Sequence, residues 1–98
     1  MAKEIRKSSG NVFTDLGFDA EEAENLRVRS ELMVAIAKLI EKRGLTQAEA
    51  AKLLGVTQPR ISDLTRGKID RFSVDTLIAM LGRAGMHVRL TMRRGKVA

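Results

Sequence analysis

Hydrophobic positions fall on a helical period through most of the chain and switch to strict alternation near its end. Leu26, Met33, Ile36, Ala37 and Ile40 form one stripe of a helix, and Leu32 and Leu39 widen it. Asp19 is a good N-cap residue, Glu22 follows three positions later as in a capping box, and Phe18 and Ala23 occupy the staple positions. Gly44 suits the residue just past the C-terminus, so a first helix is predicted from Asp19 to Arg43. Thr46 and Glu49 make a second capping box, which opens a second helix ending at Leu54 and Gly55. Thr57 is the expected cap of a third helix reaching about Thr65, and the stretch from Gly67 to Arg71 reads as a loop. Ser73 caps a fourth helix, with Val74, Leu77, Ile78 and Leu81 at helical spacing and Gly85 after it.

In "MHVRLTMR" the period changes. Met86, Val88, Leu90 and Met92 alternate with His87, Arg89, Thr91 and Arg93, which is a strand signature. No second convincing strand accompanies it. The "KEIRK" segment near the N-terminus is short and highly charged. A lone strand leaves unpaired N–H and C=O groups, so the simplest expectation is antiparallel pairing with the same segment of a second copy about a two-fold axis. Met86, Val88, Leu90 and Met92 would then line a buried dimerisation face. The chain thus divides into an irregular N-terminal segment (1–18), a helical domain (19–85), and a dimerisation strand with a basic tail (86–98).

The stretch "TQAEAAKLLGVTQPRISDLTRG" joins the second and third helices and is oddly polar in its second half. Gly55 lies at the turn, where a positive φ is needed and a Cβ would clash. Ala51 is small where two helices must cross closely. Ala50, Leu54, Val56, Ile61 and Leu64 form an inward set spanning both helices, the composition of a helix-turn-helix. With Ile61 and Leu64 inward, Gln58, Arg60, Ser62, Asp63 and Arg66 must point outward or sideways. Pro59 falls in the first turn, where its missing N–H has no intrahelical partner to lose. The third helix therefore begins sharply and presents an electropositive N-terminus suited to a phosphate-lined groove. Gln pairs bidentately with adenine and Arg with guanine in the major groove.

Charge agrees with such a partner. The net charge is +6, with Asp19, Glu21, Glu22 and Glu24 clustered early and no acid from Leu81 to Ala98. The acidic cluster has two readings, compensation of the helix dipole or a docking surface for a basic partner. Arg66 and Lys68 likewise suit either a helix C-terminus or phosphate. Composition narrows the rest. There is no cysteine, which excludes disulfides and thiolate metal sites and fits a cytoplasmic location. No apolar run approaches the roughly 18 residues of a membrane span, and no signal-peptide core precedes the first helix. His87 is the only histidine, no phosphate-cradling glycine loop occurs, and Ser8 and Ser9 have no evident base. Neither an enzyme, nor a metal site, nor a cofactor is expected.

Thr46–Gly67 resembles the helix-turn-helix of the Cro and phage-repressor-like (XRE) family. The match includes Gln47 after the first cap, the small residue Ala51, the "LGVTQ" turn, Ile61, Leu64 and the closing "RGK"; with the first and fourth helices it covers about residues 30–84. The "NVFTDLGF" leader and the core through "MHVRL" resemble the HigA-like antitoxins of type II toxin–antitoxin modules. The resemblance implies an all-α, four- to five-helix lambda-repressor-like domain with a C-terminal strand pairing across a homodimer. It implies a bacterial, cytoplasmic, nucleoid-associated repressor of a palindromic operator on double-stranded DNA, with a RelE-like ribonuclease toxin as partner. A stand-alone XRE regulator without a toxin, and an interaction protein that sequesters a partner, are the alternatives. By family pattern, Gln47, Thr57, Arg66 and Lys68 are expected near phosphates. Gln58, Arg60 and Ser62 are expected on the base-reading face. Pro59 departs from the commoner small polar residue, so its base contacts would be apolar or absent. Asp63 would accept from a cytosine amino group, or orient Arg60 or Arg66.

Overall fold

A computed structural model of the chain describes residues 11–94. Five α-helices and one 3-10 turn follow in order: α1 (Val12–Asp15), α2 (Ala20–Arg43), α3 (Gln47–Leu54), α4 (Gln58–Thr65), the 3-10 turn (Ile69–Arg71) and α5 (Val74–Arg83). The four helices expected from the sequence are α2 to α5, each within a residue or two of its expected bounds.

Local capping chemistry explains most of these bounds. The Asp19 side chain accepts from the Glu22 N–H at 2.8 Å and starts α2. Thr46 and Glu49 satisfy each other's backbone N–H groups reciprocally at the start of α3. Ser73 accepts from the Thr76 N–H at the start of α5. Gly44 and Gly55, with φ of 64° and 72°, close α2 and α3 in the left-handed region. On the solvent side of α2, Arg27 bridges Glu24 at 2.6 Å and also pairs with Glu31. The hydrogen bond from Arg27, followed by its charge, holds the Glu24 carboxyl below the usual carboxylate range.

One core joins α2 to α5. Met33, Ile36 and Ile40 of α2 meet Ala50, Ala51 and Leu54 of α3, Ile61 and Leu64 of α4, Phe72, and Leu77, Met80 and Leu81 of α5. Val56, Leu32, Ala37 and Leu39 pack against its edge. Burial on α5 is displaced from the expected face: Ile78 is exposed, and Met80 takes the inward place. The contiguous buried arc is Leu77, Met80 and Leu81, which the flexible Met80 side chain completes.

Three expectations need correction. Residues 11–18 are not wholly irregular, because α1 forms there with the Asn11 side chain accepting from the Phe13 N–H. Asn11 also donates to the Ala23 carbonyl at 3.2 Å, and Phe13 and Phe18 meet edge to face, so the short helix is tied to the start of α2. The "KEIRK" segment, Ser8 and Ser9 lie outside the described residues. Second, Gly67–Arg71 is not a plain loop but carries the 3-10 turn. Third, no strand forms among the described residues, and Met86–Arg93 stands without secondary structure. Alternation fixes which side chains share a face, but a strand also needs a ladder partner, and the described residues supply none. Met86, Val88, Leu90 and Met92 are exposed there, not buried against the helices, with Leu90 and Met92 at 71% and 82%. No described helix is long and apolar enough to cross a membrane.

Candidate nucleic-acid interface

The site is built on α3, α4 and the turn after α4. Ile61 and Leu64 are buried and fix the rotation of α4. At about 100° per residue, Pro59, Ser62, Asp63 and Arg66 then occupy the side away from the core. Gln58 and Arg60 fall on opposite flanks. The Gln58 flank faces the start of α3, where Gln47, Gln58, Pro59 and Ser62 line one shallow depression. Four of the nine expected residues are thus brought together from two helices.

Thr57 stands at the N-cap of α4, as expected, but makes no side-chain cap hydrogen bond. Pro59 explains why. A capping hydroxyl accepts from the second or third N–H of the helix. Pro59 occupies the second position and has no N–H, and the Arg60 N–H bonds the Thr57 carbonyl at 3.0 Å. The Thr57 hydroxyl is therefore released at an exposed helix N-terminus, where an anion is favoured. The sequence carried this signal in the spacing of Thr57 and Pro59.

The opposite flank is occupied. The Arg60 guanidinium donates to the Arg71 carbonyl at 2.9 Å and lies over the Phe72 ring, 5.4 Å from its centroid. Asp63 pairs with Arg71 at 3.3 Å, not with Arg60 or Arg66. Arg66 is exposed at the C-terminal end of α4, with its backbone N–H on the Ser62 carbonyl. Lys68 is half-buried, and its N–H on the Asp63 carbonyl starts the turn.

Sequence reasoning missed three arginines here. Arg71 neutralises the acid on the outward side of α4. Arg29 of α2 donates to the Ile69 and Phe72 carbonyls at 3.1 and 3.2 Å and to the Asn25 side chain at 2.7 Å. Together Arg29 and Arg60 hold the 3-10 turn between α2 and α4 through three main-chain carbonyls. Arg83 of α5 lies across Gly55, so that a Cβ at Gly55 would collide with its side chain. The only usable sequence signal was the outward Asp63, which needed a cation from somewhere.

Comparison with known proteins agrees with this geometry. A family model described as a helix-turn-helix domain matches residues 12–93. A solved structure named by family, as an XRE family transcriptional regulator, is similar with a TM-score of 0.69 and 32% identity, over 76% of this chain and 84% of that one. No curated protein matches the chain. The helical order, the glycine turn between α3 and α4, and matches over most of the length converge: the chain belongs to the XRE-type helix-turn-helix family of transcriptional regulators.

Proposed function

We propose that the protein is a sequence-specific transcriptional repressor that inserts α4 into the major groove of double-stranded DNA. One observation carries the reading: the outward side of α4 is polar and adjoins Gln47 at the start of α3. In this arrangement Gln58 and Ser62 meet base edges and Pro59 offers an apolar contact, while Gln47, Thr57, Arg66 and Lys68 meet phosphates. Arg60 serves the interface from its flank by holding the turn beside α4, with its remaining donors toward the groove. The exposed row Met86, Val88, Leu90 and Met92 pairs with its copy in a homodimer, setting two α4 helices about 34–36 Å apart on a palindrome.

The test is selection from a random duplex library followed by band shift. A palindromic consensus is expected, with Gln58→Ala relaxing one position per half-site. Leu90→Pro should yield monomers by sedimentation and much weaker binding. Absence of any selected sequence, with binding uniform across duplexes, would remove the repressor reading. The finer reading, an antitoxin repressing its own operon, is supported by the "NVFTDLGF" leader taken with the core. It requires that a RelE-like toxin co-purify with the chain; a DNA-binding chain that captures none is a stand-alone regulator.

A further inference from the structure

We infer that Arg71, supplied by the turn after α4 and not by α4 itself, is a phosphate contact of the DNA-bound protein, and that Asp63 is the residue that aims it. This rests on the DNA-binding reading above. Asp63 lies on the outward side of α4 with its side chain only 18% exposed, while the Arg71 side chain is 52% exposed. The pair is joined by one Arg71 nitrogen at 3.3 Å. A guanidinium has five N–H donors in a rigid fork, so an arginine held on one edge still presents the others. The free edge stands beside Asp63 on the Arg60 flank of α4, where the wall of a groove occupied by α4 would pass.

The backbone at Arg71 is fixed independently of its side chain. Its carbonyl receives Arg60 at 2.9 Å, and the neighbouring Ile69 and Phe72 carbonyls receive Arg29. Phe72 is buried in the core. The side chain is thus mounted on a rigid turn and steered by a carboxylate, a preorganised arrangement in which little freedom is lost on binding. The chemistry also explains why an acid is tolerated there. A bare carboxylate on a face meeting a polyanion is repelled, whereas a carboxylate neutralised by Arg71 is not.

The roles predict a reversal of sign. Arg71→Ala should weaken binding roughly tenfold at moderate salt, alike on cognate and unrelated duplexes. It should lower the slope of log affinity against log salt by about one. Asp63→Asn in the wild-type background should weaken binding several-fold, because Arg71 is no longer aimed. In the Arg71→Ala background the same change should strengthen binding, because it removes an unpaired carboxylate. Arg71→Gln serves as the second variant should Arg71→Ala unfold, and melting temperature checks both. Wild-type slope and affinity in a folded Arg71 variant would overturn the inference while leaving the DNA-binding reading intact. A sequence-selective loss would make Arg71 a base reader instead. Equal weakening by Asp63→Asn in both backgrounds would place Asp63 itself on the DNA. A wild-type chain that binds no duplex would overturn both readings together.

Discussion

Gly55 makes the junction between α3 and α4, and two separate physical reasons require a glycine there. Its φ of 72° is in the left-handed region, and an added Cβ would run into the Arg83 side chain. The two costs can be separated. An L-residue in that conformation costs about 1–2 kcal/mol. Restriction of the unfolded chain by the new Cβ offsets a few tenths. The collision involves Nε, Cδ and Cζ of Arg83, the far end of a flexible side chain, which can swing away. Backbone strain should therefore dominate, and Gly55→Ala should lose about 1 kcal/mol net, or about 4–8 °C in melting temperature for a domain of this size.

Two further variants decide between the causes. Asn carries the same Cβ but enters the left-handed region more readily. Gly55→Asn should thus cost clearly less than Gly55→Ala. Removing the obstacle with Arg83→Ala should leave the Gly55→Ala loss unchanged within about 0.5 kcal/mol. Thermal and urea unfolding give all four corners of that cycle. The reasoning fails if Ala and Asn cost the same, or if Arg83→Ala abolishes most of the loss, because the collision would then be the larger effect.

Further outcomes follow from the same contacts. Thr46→Ala and Ser73→Ala should each cost about 1 kcal/mol in thermal unfolding, as lost caps do. Thr57→Val should cost under about 0.5 kcal/mol because no cap bond is lost, yet weaken DNA binding in a band-shift titration if the hydroxyl meets phosphate. Ala51→Leu should cost about 1–3 kcal/mol by overpacking the contact of α3 with its neighbours, and unchanged melting would place the crossing elsewhere. Glu24→Gln should cost under about 0.5 kcal/mol, as exposed ion pairs do. The folded carboxyl is held below its ordinary value, so its contribution is full above the unfolded carboxylate range and fades as pH falls through the folded one. Unfolding measured across the acid range should therefore show the variant and wild type converging at low pH.

Legibility in the sequence tracked the distance over which each feature is decided. The caps at Asp19, Thr46 and Ser73 involve a donor three residues away, and each formed as expected. Thr57 failed for an equally local reason: Pro59 removes the donor two residues on, and the Arg60 N–H three residues on bonds the Thr57 carbonyl instead of its hydroxyl. The α5 face was misplaced by a small rotation, because Val74, Leu77, Ile78 and Leu81 fit a helical stripe as well as Leu77, Met80 and Leu81 do. The contacts that position the turn lie beyond any local pattern. Arg29 reaches carbonyls 40 and 43 residues away, and Arg60 one that is 11 away. For Met86–Arg93 the alternation was legible, but a strand is a property of a pair, and the partner is not written in the same segment.

The arginines also change how the charge of the chain should be understood. A net charge of +6 invites the view that most basic residues face a polyanion. Several are instead engaged within the fold: Arg27 with Glu24 and Glu31, Arg29 with the turn, Arg60 with the Arg71 carbonyl and Phe72. Arg83 lies across Gly55. A guanidinium holding half-buried carbonyls, as Arg29 does, cannot leave without exposing those acceptors' need for a partner. Under the proposed DNA-binding reading, the cations beside α4 that are left to meet phosphate among the described residues are Arg66, Lys68 and Arg71, joined by the Thr57 hydroxyl and the N-terminus of α4. The slope of affinity with salt should reflect that short set and not the total of 18 lysines and arginines. On the same proposal, specificity would depend less on charge than on how firmly Arg29 and Arg60 hold the turn against α4, because that turn sets where Arg71 stands beside Asp63.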